Sequence, residues 1–413
     1  MKQRIALLLV LVMALSLFAG CADKEPTPTD ETEPATTSGV YNAETLNEGL
    51  KTIDLYTVDG LSVGDPRLDE VVATCGDYSL TNSQLQFYYW MEYMNFVNGM
   101  GGYGVDMSYF GLDSSLPLSE QVSLAEGLNW EQYFLQAALL SFQQVASIAT
   151  IAAEEDFVLP DEVEDYLSAL PDDLAAQAEA YGYESALAFV QETFGTGVTV
   201  EDYVEYARLS LCASYYKYEI YGTLTYTDEE IEAYYDENAD TFALYGITKD
   251  NDTCTVSVRH ILITPEEAED DESDAAMAAA LEKAEAILDE YLDDPTEEHF
   301  AALANEHSTD PGSNTKGGLY EGVYPGQMVQ TFNDWCFDET RQPGDTGIVE
   351  SSYGYHIMYF VATSDTPYWK EFAAQNGFLE EKMNRLVDEM GTTHDISVTP
   401  SLIVLSTAEA YGQ

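Results

Sequence analysis

The stretch VSVRHILI at residues 256–263 decides the fold of the central part of the chain. From Thr255 to Thr264 apolar and polar residues alternate, which predicts a β-strand. Helical patterns follow at 275–292 and 297–306, and two further strand patterns lie at 347–350 and 355–362. Strands and helices mixed within one short segment predict a compact α+β unit, which we place at residues 253–364.

Two more runs in this unit carry polar residues of chemical interest. One is HSTDPGSNTKGG at residues 307–318, followed by PGQMV at 325–329 and by Phe332. The other is YGYHI at residues 353–357. A histidine within an apolar strand is also consistent with a plain core residue, and Asp310 before Pro311 and Gly312 is also consistent with the start of a turn.

Taken in this order and spacing, the three runs resemble the parvulin-type peptidyl-prolyl cis/trans isomerases. The resemblance implies a four-stranded antiparallel-type sheet surrounded by helices. It implies that His260 and His356 face each other at the floor of the active site, with Asp310 as a third polar catalytic residue. It also places Met328, Phe332 and Tyr353 at the substrate. Met328 and Phe332 are four residues apart, so on one helix face they would form an apolar pocket for the proline ring, although both are also consistent with plain core.

The sequence departs from that family at two places. Where parvulins usually read Gly-Gly-Asp-Leu-Gly, this chain has GGLYE at residues 317–321, which changes a strand that lines the pocket. After the first strand the segment 266–274 holds seven acidic residues in nine, where phosphate-directed parvulins carry a basic cluster. Such a segment repels phosphate. It is also consistent with a solvated loop that has no binding role.

Helical patterns flank the α+β unit on both sides. A hairpin pattern at 71–80 precedes helices predicted at 85–97, 119–156, 161–170, 172–181, 183–194, 199–221 and 227–242. Helical periodicity returns at 369–390, and a last strand is predicted at 396–405. We therefore expect one mainly helical domain, formed by residues 41–252 and 365–413, with the α+β unit inserted. With the N-terminal features below, this organisation resembles the PrsA/SurA family of extracytoplasmic foldases.

The N-terminus has the features of an export signal. Lys2 and Arg4 precede an apolar stretch that ends in Ala19-Gly20-Cys21. Residues 1–20 therefore predict a signal peptide. Small residues before Cys21 resemble the lipobox of bacterial lipoproteins, which implies a lipid-anchored protein on the outer face of the cell membrane; ordinary secretion is the alternative. Residues 21–40 are rich in Pro, Thr and acidic residues and predict a disordered tether.

Composition excludes one class of partner and supports no metal site. With 75 acidic and 15 basic residues, the formal net charge is −60. A chain of that charge repels phosphate backbones, so we expect no nucleic-acid partner. The other four cysteines are widely scattered, without CxxC or metal-ligand spacing. The isomerisation implied by the resemblance makes and breaks no covalent bond, so we expect neither a cofactor nor a metal ion.

These observations favour an isomerase that also acts as a chaperone for unfolded exported polypeptides containing X-Pro bonds. One alternative is a holdase without catalysis, in which the α+β unit only binds. Another is a solute-binding lipoprotein, which the long helical stretch from Ser119 to Phe242 disfavours because such proteins need two lobes of repeating strands and helices.

Overall fold

The computed structural model describes residues 39–102, 107–250, 252–266 and 273–408. The predicted signal peptide 1–20, Cys21 and the tether up to residue 38 lie outside these ranges. The chain forms two compact units. The helical unit runs up to Leu224 and resumes at Glu381, and the sheet unit comprises Thr225–Glu380.

The helical unit is built on long α-helices and a small sheet. Its helices are α1 Leu46–Leu50, α2 Asn82–Gly102, α3 Trp130–Glu154, α4 Asp161–Tyr181, α5 Ala186–Phe194 and α6 Val200–Thr223. Strands β1 (Val71–Cys75) and β2 (Tyr78–Thr81) form the expected hairpin. The late strand β7 (Ile396–Val398) pairs antiparallel with β1, so chain segments on both sides of the sheet unit belong to one fold.

Helix starts in this unit follow from local capping. Asn129 caps α3 in a capping box with Gln132, and Thr199 caps α6 in the same way with Asp202. By length and composition α3 is apolar enough to cross a membrane, but most of it is buried inside the unit. There it packs in a core rich in aromatic side chains, so it is the central core helix.

Several boundaries differ from the sequence prediction. The two helices predicted at 161–170 and 172–181 are one helix, α4, because Pro171 lies on its exposed side while Leu167, Leu170 and Leu174 continue one buried stripe across it. The helix predicted at 119–156 begins only at Trp130. The strand predicted at 396–405 stops at Val398, where a 3-10 turn over Pro400–Leu402 follows, because proline cannot donate to a sheet ladder.

The sheet unit has four antiparallel strands in the order β4-β3-β6-β5. They are β3 Cys254–Ile263, β4 Leu319–Val323, β5 Thr346–Ser351 and β6 Gly354–Pro367. Helices α8 (Ser273–Asp293) and α9 (Glu297–His307) follow β3 in the chain, and α10 (Gln330–Cys336) follows β4. The predicted α+β fold with an antiparallel-type sheet is confirmed.

The two faces of this sheet have separate cores. Ile261 and Ile263 of β3 pack with apolar side chains of α8 and α9. Val256 and Val258 pack instead with Phe332 of α10. Because side chains alternate between faces along a strand, His260 lies on the α10 face of β3, and His356 lies on the same face of β6.

The sheet unit is wider than the predicted segment 253–364. Helix α7 (Asp228–Leu244) precedes it, and β6 continues into α11 (Tyr368–Ala373). Tyr235 and Phe242 of α7 pack against Trp369 of α11 in one apolar cluster. The helix predicted at 369–390 is divided, since a π-helical turn at Ala374–Phe378 separates α11 from α12 (Leu379–Gly391).

Candidate active site

The two histidines are neighbours on adjacent strands. In the β3–β6 ladder His260 stands opposite Met358 and Leu262 stands opposite His356, so the histidines are diagonal neighbours. Each of the two residues is only 4% exposed. Their Nδ1 atoms are 3.1 Å apart, and the two rings are nearly parallel. The structure thus brings the pair together within the core of the sheet unit.

Asp310 joins the pair from the loop after α9. Its Oδ2 lies 3.0 Å from Nε2 of His260. On the far side Oγ of Ser351 lies 2.6 Å from Nε2 of His356. The four side chains therefore form a continuous chain from Asp310 through His260 and His356 to Ser351.

The electrostatics of this chain favour a carboxylate and a neutral imidazole. Hydrogen bonds from His260 and then Ser313 hold the pKa of Asp310 well below its usual range, although partial burial opposes them. Burial, assisted by the neighbouring His260, lowers the pKa of His356 from 6.5 to about 4.

One arrangement of protons satisfies each contact along the chain without a charge on either ring. Nε2–H of His260 donates to the Asp310 carboxylate, which leaves Nδ1 of His260 as an acceptor for Nδ1–H of His356. Nε2 of His356 then accepts from the hydroxyl of Ser351. The anchored carboxylate therefore determines both tautomers.

Phe332 forms the apolar wall of the site. Its ring stands edge-on to His260 at 5.3 Å and to His356 at 5.4 Å between centroids. Met328 is half-buried against the same cluster, but it precedes α10, so the prediction that it shares a helix face with Phe332 is wrong. Tyr353 is 59% exposed, and only its backbone N–H reaches the network, by donating to Ser351 Oγ. A contact between Tyr353 and substrate stays a prediction.

Three hydroxyl residues of the network were absent from the sequence prediction: Ser313, Tyr320 and Ser351. Ser351 forms the last pair of the β5–β6 hairpin with Gly354, so hairpin register would have identified it. Tyr320 lies in the segment where this chain departs from the family pattern, and that departure was the available signal. The close approach of this segment to β3 also explains Gly318, since a Cβ there would lie 2.3 Å from the backbone oxygen of His260.

The arrangement is suited to binding and polarisation. It contains an ionised carboxylate, a buried imidazole pair and an aromatic wall. Within the described residues no group of three His, Cys, Asp or Glu side chains could hold a metal ion.

Comparison with known families agrees with this geometry. Residues 242–363 match the model of the PPIC-type PPIase domain. The chain carries a PPIC-type peptidyl-prolyl isomerase domain. The match covers β3 to β5, most of β6 and all residues of the histidine network, so the PPIC-type domain contains the whole candidate site.

Several curated proteins similar to the chain are named as foldases. It is 42% identical over 77 residues to foldase protein PrsA 1 of Listeria innocua, which covers 18% of this chain and 26% of that protein. It is 28% identical over 206 residues to foldase protein PrsA of Caldanaerobacter subterraneus subsp. tengcongensis, which covers 48% of this chain and 54% of the relative. The matches thus span about a quarter to a half of the relatives' length.

A solved PrsA from Bacillus subtilis is 18% identical, with 65% of this chain and 89% of that chain covered. The TM-score of this match is 0.27.

Proposed function

We propose that the protein is a peptidyl-prolyl cis/trans isomerase that also binds unfolded exported polypeptides as a chaperone. The observation that carries the proposal is the Asp310–His260–His356–Ser351 chain with its two buried histidines beside Phe332, within a PPIC-type domain. The curated foldase relatives support the same activity.

Isomerisation requires no nucleophile. The barrier to rotation about the peptide bond is ~18–20 kcal/mol because rotation breaks amide resonance. An enzyme lowers it by binding the twisted amide more tightly than the planar one. In our proposal Phe332 and Met328 hold the proline ring, and the histidine pair supplies a polar floor of fixed hydrogen-bonding direction.

The direct test uses the full chain in detergent with a proline-containing peptide. We expect faster cis/trans exchange than in peptide alone, measured by NMR exchange spectroscopy. Exchange at the uncatalysed rate, combined with undiminished protection of an unfolded client from aggregation, would instead favour the holdase without catalysis.

We propose that the helical unit holds client segments in a cavity of about 500 Å³. Leu80, Tyr88 and Phe142 contribute buried apolar walls, while Val158 is 79% exposed and also lines the cavity. Arg208 lies within hydrogen-bond distance of both carboxylate oxygens of Glu164, at 2.7 and 2.8 Å, so the acidic Asp77 and Glu205 dominate the remaining charge. This lining fits an apolar segment flanked by basic residues.

Two valines of similar exposure provide a matched test of the cavity. Val158→Asp places a charge in the lining, whereas Val122, which is 81% exposed and lies outside it, gives the control Val122→Asp. We expect only Val158→Asp to weaken protection of a cationic unfolded client from aggregation. Equal effects of the two variants would remove the cavity from client binding.

We also propose that the protein is anchored by lipid at Cys21 on the extracytoplasmic face of the cell membrane. The signal pattern of residues 1–20 and the small residues before Cys21 support this location. Cys21→Ala should move the protein from the membrane fraction to the soluble fraction. Retention of the variant in the membrane would contradict the anchor.

A further inference from the structure

Three side chains converge on a single oxygen of Asp310. Its Oδ2 accepts from Ser313 Oγ at 2.5 Å and from the Tyr320 hydroxyl at 3.0 Å, and it lies 3.0 Å from Nε2 of His260. Among the described residues, Oδ1 accepts only one hydrogen bond, a long one of 3.4 Å from the backbone N–H of Gly312. The carboxylate is therefore oriented almost wholly through the oxygen that faces His260.

Tyr320 reaches this oxygen from the neighbouring strand. It lies on β4 opposite Val258 of β3, so its side chain lies on the α10 face together with the histidines. Its ring is 5.4 Å from the ring of His260. A Cβ at position 312 would lie 2.4 Å from the Tyr320 hydroxyl, so the hydroxyl occupies space that exists because residue 312 is glycine.

We propose that Tyr320 is a positioning residue of the isomerase site, which acts through Asp310 to hold both imidazoles in one tautomeric arrangement. The proposal rests on the isomerase function proposed above. The hydroxyl of Tyr320 and the buried hydroxyl of Ser313 both donate to Oδ2, in addition to the contact with His260. The carboxylate then keeps the orientation in which it accepts Nε2–H of His260. Loss of the tyrosine hydroxyl frees the carboxylate to rotate, and the direction of the histidine hydrogen bond is no longer fixed.

The experiment combines kinetics with imidazole NMR on the full chain. Tyr320→Phe removes the hydroxyl and keeps the ring, and Tyr324→Phe is the matched control, since that ring stacks on Tyr368 at 4.2 Å. The chain contains 5 histidines, so selective ¹⁵N-histidine labelling gives few ring signals. We expect Tyr320→Phe to lower kcat/KM by about ten-fold, because hydrogen bonds to charged groups are among the stronger ones. We also expect its His260 and His356 nitrogen shifts to move towards tautomer-averaged values, while Tyr324→Phe changes neither.

A double-mutant cycle shows whether Tyr320 acts through Asp310. In the Asp310→Ala background, Tyr320→Phe should have almost no further effect on kcat/KM, because the acceptor of its hydrogen bond is gone. Independent, additive effects of the two substitutions would overturn the proposal. So would wild-type nitrogen shifts in Tyr320→Phe. The shifts are measured without substrate, so they remain decisive even if the wild-type chain has no isomerase activity, a result that would count against the proposed function instead.

Discussion

The two units surround histidine in different ways. In the helical unit His394 is half-exposed, and its Nδ1 lies 3.2 Å from Oγ of Ser147. Its backbone also takes part, since its N–H donates to Ser147 and its carbonyl accepts from Gln143. In the sheet unit His356 contacts a serine too, but it is buried and its other nitrogen faces His260. His394 therefore supports structure by forming hydrogen bonds between neighbouring segments. The buried histidine pair, which contacts the Asp310 carboxylate, instead provides a polar surface of fixed hydrogen-bonding direction.

The largest expected effect separates these two kinds of histidine. His260→Ala or His356→Ala should lower kcat/KM by roughly a hundred-fold, because each substitution interrupts the hydrogen-bond chain at the substrate floor. His394→Ala should leave kcat/KM near the wild-type value and lower thermal stability. Isomerisation kinetics and circular dichroism on each variant measure both quantities.

Full activity in a folded His260→Ala, His356→Ala double variant would remove the pair from the site. A large loss of activity in a folded His394→Ala variant would contradict the purely structural role of His394.

The pH dependence of the free energy of unfolding should also originate in the buried histidine pair. His356 has a pKa of about 4 in the folded chain against 6.5 ordinarily, so between these values the unfolded chain takes up a proton that the folded chain does not. The free energy of unfolding should therefore decrease as pH falls from about 6.5 to about 4, by on the order of 2–3 kcal/mol. The depressed pKa of Asp310 adds a further loss below its ordinary value of 3.8.

Urea unfolding across this pH range, followed by NMR signals of the sheet unit, measures how the free energy of unfolding changes with pH. The His356→Asn variant should lose most of this pH dependence. A wild-type stability that stays constant between pH 6.5 and 4 would show that the His356 imidazole is not depressed in the folded chain.

The limits of the sheet unit provide a smaller test. Besides the α7–α11 cluster, the backbone N–H of Tyr368 donates to the carbonyl of Thr253, and Cys254 pairs with Pro367. We expect the fragment Thr225–Glu380 to unfold cooperatively and at a higher temperature than the fragment 253–364. Equal melting temperatures would show that the narrower limits contain all of the stabilising contacts, and calorimetry distinguishes the two results.

Much of the sheet unit was predictable from the sequence because its strands and its motif are encoded in short local patterns. Strand alternation places His260 and Val258 on one face, and the family motif identifies the histidine pair and Asp310. The partners Ser313, Tyr320 and Ser351 depend on how a loop and two strands meet, which neither periodicity nor the motif specifies. In the helical unit a proline at position 171 locally favours a helix end, but the buried stripe of α4 continues past it. There tertiary packing overrides the local signal.

The smallest expected effect concerns the residue before proline in the substrate. Glu266 follows β3, which bears His260, and begins the acidic segment 266–274, of which residues 267–272 lie outside the described part. This segment holds seven acidic residues in nine directly after the strand that bears His260, and the whole chain has a formal net charge of −60. A phosphoserine brings about −1.5 to −2 charges into this field, whereas lysine or arginine is attracted. Screening over ~8 Å at physiological salt limits the preference to a few-fold.

Peptides that differ only in Lys, Ala, Glu or phosphoserine before proline, compared at low and high salt, measure this preference. We expect lysine to be preferred at low salt and the differences to shrink as salt rises. Equal turnover of the phosphoserine and lysine peptides at low salt would show that the acidic segment lies away from the site.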